Sequence, residues 1–339
     1  MKADLRSDTF TKPTPEMLSA MMAAEVGDDV FGEDPTVNTL EKKAAGMFGM
    51  EAAIFCPSGT MTNQIAIRVN TQLQDEVICD FRSHIYQYEG GGIASNSGVS
   101  VKLLDGDRGR LNADDILRNI NPDDIHKPIT RLVGIENTVN KGGGSFYDMA
   151  ELKKIRDVCD RHNLVMHLDG ARLFNALVET GEKPAEYGEL FDTISVCLSK
   201  GLGAPVGSLL IGSKEMIKKA RRVRKVFGGG MRQAGFLAAA GIYALANNID
   251  RLKDDHRRAR TIGSALQEAA FVCEVKSIDT NIIIFLLKDG YTTDQILSSL
   301  ASKNVLALSF NPNEIRMITH LDFTDEMLNP TVEAIKSIH

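Results

Sequence analysis

Lys200 follows the apolar run Ser195-Val196-Cys197-Leu198-Ser199 and precedes Gly201-Leu202-Gly203. Thirty-one positions earlier a similar run, Val165 to Leu168, ends in Asp169-Gly170-Ala171-Arg172. A carboxylate at one strand end and an amine at a nearby strand end suit pyridoxal phosphate. The acid keeps the ring nitrogen protonated, and the amine carries the aldehyde as a Schiff base. The interval accommodates one crossover helix and the next strand, which places both residues on the same edge of a sheet. The competing readings are a local Asp169–Arg172 ion pair and a solvated loop lysine. Ser199, Gly201 and Gly203 weigh against the second, because small residues let the backbone approach a ligand closely.

Other residues could complete such a site. Pro57-Ser58-Gly59-Thr60 precedes the helical Met61 to Val69, so N–H groups and two hydroxyls converge at a helix start, an anion site or a simple N-cap. His84, in Arg82-Ser83-His84-Ile85-Tyr86, offers an imidazole that could stack on a planar cofactor and exchange protons. His126, in Asp123-Asp124-Ile125-His126-Lys127, is less distinctive and reads equally as a loop residue. Arg232 follows Gly228-Gly229-Gly230-Met231 and could meet a phosphate. Arg316 is a guanidinium suited to bidentate capture of a substrate carboxylate. The basic run Lys218 to Lys225 lacks interleaved aromatics and belongs to a chain of net charge -6, so it reads as a solvated face or a site-completing segment and not as an RNA patch.

These side chains need elements to carry them. Apolar runs at 53–56, 77–80, 99–104, 132–136, 165–168, 194–198 and 208–211 alternate with helical periods such as Asp148 to His162. That alternation predicts an α/β fold with a mainly parallel sheet covered by helices. An irregular arm, 1–38, precedes it and contains a short helix from Pro15 to Ala24. A buried helix is expected over 232–247 and a long charged helix over 249–269. Strands at 271–275, 282–287, 305–310 and 315–319, with helices at 293–303 and 324–337, then form a small C-terminal α+β domain. The expected division is 1–248, arm and large cofactor-binding domain, and 249–339, linking helix and small domain.

With 339 residues the chain can bury a sizeable core. Its longest apolar stretches, such as Ile282 to Leu287, are too short to cross a bilayer and its N-terminus is charged, so a cytoplasmic protein is expected, without membrane or nucleic-acid partners. Five widely spaced cysteines form no CxxC pair, which reads as reduced thiols. His167-x-Asp169 has metal-ligand spacing, but no His or Cys cluster supplies further ligands, so no metal is expected.

Five stretches together resemble the low-specificity L-threonine aldolases, pyridoxal phosphate enzymes of the aspartate-aminotransferase-like fold type I. They are Asp4-Leu5-Arg6-Ser7-Asp8-Thr9, the stretch from Val26 to Val37, His167 to Arg172, Cys197 to Gly203, and Gly228 to Gln233. The resemblance spans essentially the whole chain; Phe31 stands where tyrosine is common. It implies that Lys200 carries the cofactor, Asp169 partners the ring nitrogen and His84 stacks on the ring. Ser58, Gly59 and Thr60 would form the phosphate cup, with Arg232 reaching in from a neighbouring subunit. Ser7, Arg172 and Arg316 would hold the substrate carboxylate, and His126 and Lys225 would lie on the substrate side. The implied reaction is retro-aldol cleavage of L-threonine or L-allo-threonine to glycine and an aldehyde, with His84, or a water between His84 and His126, taking the hydroxyl proton. The implied assembly is a homotetramer, a dimer of dimers with shared sites. β-Elimination or transamination on the same scaffold would use the same Lys200 and Asp169.

Overall fold

In the computed structural model, which describes residues 2–338, the apolar runs between residues 52 and 212 become one seven-stranded sheet. Strand β1 (Ala3–Asp4) and helices α1 (Pro15–Met22) and α2 (Pro35–Met47) precede it. Then come β2 (Ala52–Cys56), α3 (Gly59–Asn70), β3 (Asp75–Asp80), α4 (His84–Gln87), β4 (Ser100–Leu104), α5 (Ala113–Asn119) and β5 (Ile129–Glu136). The chain continues through α6 (Met149–Arg161), β6 (Val165–Gly170), α7 (Leu173–Thr180), α8 (Pro184–Gly188) and β7 (Thr193–Cys197). It closes the large unit with β8 (Ser208–Gly212), α9 (Lys214–Val226) and α10 (Gly235–Asn247).

The sheet order is β2-β8-β7-β6-β5-β3-β4, parallel except that β8 runs antiparallel to both of its neighbours. Two reversals cancel, so β2 points the same way as β7. The carboxyl ends of β2, β3, β5, β6 and β7 therefore meet at one edge, where ligands bind in open parallel sheets. Strands β7 and β8 expose no residue, as expected of apolar runs covered by helices on both faces. Helix starts follow local chemistry: Thr14 accepts from Met17 N–H ahead of Pro15, and Asp148 accepts from Ala150 N–H at the start of α6.

The small unit comprises α11 (Leu252–Gln267), β9 (Val272–Val275), β10 (Ile282–Leu287), α12 (Thr293–Ser302), β11 (Val305–Leu306), β12 (Leu308–Asn311), β13 (Glu314–Ile318) and α13 (Asp325–Lys336). Its antiparallel sheet has the order β12-β13-β10-β9 over a core that includes Phe271, Phe285 and Phe323. The segment expected as one strand over 305–310 is broken at Ala307. Val305 and Leu306 pair in parallel with Ala3 and Asp4, whereas Leu308 and Ser309 pair with β13. The first residues of the chain are thereby stitched into the small core. Leu5 is fully buried there, a contribution of roughly 2 kcal/mol.

Candidate active site

Asp169 lies opposite Ser195 in the β6–β7 pairing, and β7 ends two residues later at Cys197. The chain then turns tightly. Leu198 donates to Gly207 O at 3.0 Å, Ala204 to Leu198 O at 3.0 Å, and Gly203 to Lys200 O at 2.8 Å. Gly203 closes the turn with a φ of +80°, a conformation that favours glycine. Lys200 is thus held half-buried beside the end of β6. Among the described residues the lysines in ion pairs are Lys154, Lys219, Lys276 and Lys336. Lys200 has no acidic partner, although its charge acts on both Asp8 and His84.

The buried carboxylate of Asp169 is held by neutral donors, Asn63 Nδ2 to Oδ2 at 3.0 Å and Ala171 N–H to Oδ1 at 3.1 Å. Asn63 projects from α3 and also donates to Glu89 Oε1 at 2.9 Å. Its Oδ1 accepts from His167 Nε2 at 3.1 Å, while His167 Nδ1 meets Thr193 Oγ1 at 2.9 Å. Both ring nitrogens of His167 are therefore occupied, and burial pulls its pKa down to about 4. It is a neutral strut behind Asp169.

His84 stands in front. Its Nδ1 meets Glu89 Oε1 at 3.0 Å, Gln64 donates to Glu89 Oε2 at 2.6 Å, and the rings of His84 and Tyr88 lie 5.7 Å apart. Polar side-chain atoms of His84, Glu89 and Asp169 all fall within 4.8 Å of one another. Burial lowers the imidazole pKa, but the Glu89 hydrogen bond and the charges of Asp169 and Glu89 outweigh it and raise the value above the usual 6.5. Glu136, opposite Asp169 in the β5–β6 pairing, accepts from the N–H groups of His84 at 2.7 Å and Asn140 at 2.8 Å. Burial and the Asp169 charge push it up to about 7.

Arg172 and Asp8 form a buried bidentate pair, Nε to Oδ2 and Nη2 to Oδ1, both at 2.7 Å. Burial opposes ionisation of Asp8, yet Arg172 outweighs it and holds the carboxyl at about 2. Ser7, next to Asp8, caps a single 3-10 turn by accepting from Thr9 N–H at 3.2 Å. Arg316 enters from β13, donates to Asn140 Oδ1 at 3.0 Å, and leaves its Nε buried without a partner. Burial and the Arg172 charge pull its pKa down to about 10. Arg172 is thus neutralised by Asp8, whereas Arg316 bonds only uncharged acceptors, Asn140 Oδ1 and the Arg6 carbonyl, and has no carboxylate partner among the described residues.

Ser58 is indeed the N-cap of α3, accepting from Met61 N–H at 3.2 Å. Gly59 has a tighter role: a Cβ there would lie 2.6 Å from Cys197 Sγ. With Thr60 these residues line the sheet edge beside the Lys200 turn, since Cys56 and Cys197 both pair with Ser208. Three expected residues are not brought to this cluster within the chain. The His126 side chain is 83% exposed and meets Asp124 Oδ1 at 2.8 Å. Arg232 pairs with Asp28 at 2.9 Å, and Lys225, in the last turn of α9, lines a cavity of about 400 Å³ together with Asp29, Phe31 and Arg224. Conversely, Asn63, Glu89, Glu136 and Asn140 belong to the cluster but were not singled out from the sequence. Glu136 carries a readable signal, because it ends an apolar run as Asp169 does; Asn63 carries none, being one polar residue inside a helix.

The profile of the β-eliminating lyase family matches residues 4–289. The low specificity L-threonine aldolase of Escherichia coli (strain K12) is 44% identical over 326 residues, covering 96% of each chain. The solved structure of Leishmania major threonine aldolase superposes with a TM-score of 0.86 at 22% identity, over 98% of each chain. A structure of SPT with PLP superposes with a TM-score of 0.74 at 16% identity, over 99% of this chain and 87% of the other, so the fold is one that holds PLP in that protein. The chain therefore belongs to the β-eliminating lyase family and, within it, to the low-specificity L-threonine aldolases.

Proposed function

We propose that this chain is a pyridoxal phosphate-dependent carbon–carbon lyase that cleaves L-threonine, L-allo-threonine and related β-hydroxy-α-amino acids to glycine and an aldehyde. The observation that carries this reading is the juxtaposition of an unpaired Lys200, a buried Asp169 and two guanidiniums, of which Arg172 is matched by Asp8 and Arg316 has no carboxylate partner among the described residues. The donor set fits the cofactor. Lys200 would hold its aldehyde carbon, Asp169 its ring nitrogen, His84 its face, and Ser58, Gly59 and Thr60 its phosphate at the start of α3. Gly59 supports that cup, since a side chain there would displace α3 from β7. Pyridoxal phosphate, when bound, supplies a conjugated ring able to accept the electron pair of the breaking bond.

Arg172 and Arg316, with Ser7 alongside, bind the substrate carboxylate and so select which bond at Cα is presented for cleavage. His84 takes the β-hydroxyl proton at Nε2, because Nδ1 is engaged by Glu89. Glu89 then stabilises the imidazolium. The Cα–Cβ bond breaks, the aldehyde leaves, and a proton added at Cα, balancing the one taken from the β-hydroxyl, gives glycine. The test is acetaldehyde release from L-threonine and L-allo-threonine by the purified holoenzyme. Absence of aldehyde with cofactor bound overturns the reading; keto acid or ammonia in its place indicates transamination or β-elimination.

A homotetramer with shared sites is part of the proposal. Each outlying residue adjoins an exposed apolar side chain: Ile125, 97% exposed, beside His126; Val226, 83%, beside Lys225; and Phe31, 74%, near the Arg232 partner Asp28. Such side chains suit an interface with another copy. A cytoplasmic location is supported by five free cysteines. No helix among the described residues is long and apolar enough to cross a membrane.

A further inference from the structure

Glu136 has no part in the chemistry above, yet it is a buried carboxylate at the carboxyl edge of the sheet. Each of its oxygens holds a backbone N–H from a different loop, His84 by Oε2 at 2.7 Å and Asn140 by Oε1 at 2.8 Å. The two loops serve opposite sides of the site. His84 opens the one-turn α4, and the preceding Ser83 does not cap it; the Ser83 hydroxyl is buried without a partner. The first N–H groups of a helix have no partner inside it. Glu136 Oε2 supplies the missing acceptor and so fixes the backbone from which the imidazole projects. On the other side, Asn140 Oδ1 is the side-chain acceptor for Arg316 at 3.0 Å. Glu136 Oε1 thus fixes the residue that fixes the guanidinium.

We propose that Glu136 is a positioning residue that couples the proton-accepting side of the site to its carboxylate-binding side, holding His84 with one oxygen and the Asn140–Arg316 pair with the other. The proposal rests on the aldolase reading. A coupler needs two acceptors, which distinguishes it from a residue that merely fills space. Glutamine has the same shape but one acceptor, so it must release one loop; leucine fills similar volume and releases both.

The experiment compares the holoenzyme with its Glu136→Leu, Glu136→Gln and Asn140→Ala variants, each first shown to be folded and to hold cofactor by circular dichroism and absorbance. Two quantities are read: kcat for L-allo-threonine cleavage and the dissociation constant of glycine by calorimetry. Glycine has the carboxylate but no β-hydroxyl, so it reports on the Arg316 side alone. Glu136→Leu is expected to lower kcat at least about tenfold and to weaken glycine at least about fivefold. Glu136→Gln moves one of the two, and Asn140→Ala, which frees Arg316 but leaves the Glu136 hold on His84 in place, weakens glycine at least about fivefold. A merely structural role would lower the melting temperature and leave both quantities near wild type. The inference is overturned if folded, loaded Glu136→Leu moves only one quantity or neither. If that variant does not fold, Glu136→Gln decides, and unchanged values for both overturn the inference. A wild-type holoenzyme that releases no aldehyde overturns the aldolase reading itself; an active wild type with indifferent Glu136 variants overturns only the coupling.

Discussion

Asp169 is buried on neutral donors, an amide side chain and a backbone N–H, and no arginine or lysine of the described residues forms an ion pair with it. A carboxylate held this way has no competing cation among the described residues and can meet a cationic N–H brought by a ligand. Asp169→Asn should therefore retain cofactor yet lose at least about a hundredfold in kcat, because an amide cannot hold the ring nitrogen protonated; absorbance and steady-state kinetics measure both, and retained turnover would remove that role. His84 sets the pH dependence. It accepts a proton only when neutral, and Glu89 and Asp169 raise its pKa against the effect of burial. The acid limb of kcat/KM should accordingly lie above the usual histidine value, with activity rising as pH rises through it. Glu89→Gln removes one of the acids that stabilise the imidazolium, so the limb should move to lower pH. A profile between about pH 5 and 9 checks this, and an unmoved limb would take the His84–Glu89 pair out of the proton transfer.

At the scale of elements, the loops around the site are tied by single carboxylates that serve several backbones. Asp34, fully buried, caps α2 by accepting from Thr36 and Val37 N–H at 3.1 and 3.0 Å. The same side chain accepts from Gly235 N–H at 2.8 Å, at the start of α10, and from Gly27 N–H at 3.3 Å. Gly235 must be glycine for this approach, since a Cβ there would lie 2.5 Å from Asp34 Oδ1. The loop so anchored includes Asp28 and Asp29, which hold the side chain and carbonyl of Arg232. Asp34→Ala removes a cap and leaves several buried donors without acceptors, and should destabilise the fold by about 3 kcal/mol or more. Chemical denaturation of the holoenzyme measures it; a loss below about 1 kcal/mol would mean that water replaces the carboxylate.

For the molecule as a whole, the division of the expected site residues is the main structural fact. Lys200, Asp169, His84, Arg172 and Arg316 converge in one chain, whereas His126, Lys225 and Arg232 lie on exposed surfaces beside Ile125, Val226 and Phe31. If Arg232 serves a neighbouring copy, two defective variants should complement each other. Lys200→Ala and Arg232→Ala, mixed after dissociation and reassociated at equal concentration, should recover about a quarter of wild-type sites in random dimers. The readout is acetaldehyde release after mixing, and a mixture no more active than Arg232→Ala alone would place Arg232 within its own chain's site.

The amino-acid sequence by itself determined the parts of this protein that depend on near neighbours in the chain. Apolar runs ending in small or charged residues marked the strand ends, and with them Asp169, Lys200 and the Ser58–Thr60 turn, because burial on both faces of a parallel sheet leaves a recognisable local pattern. Helices over 149–161, 293–302 and 325–336 were legible for the same reason of period and capping. Only the tertiary structure decided the long-range partners: Asn63 with Asp169, Asp8 with Arg172, Glu136 with His84, and the pairing of β1 with β11 that splits the expected strand at Ala307. Those contacts join residues far apart in the chain through single polar atoms, which leave no period or composition to read. The charges of Glu136 and His84 were likewise hidden, since burial and a facing carboxylate, not residue type, set them.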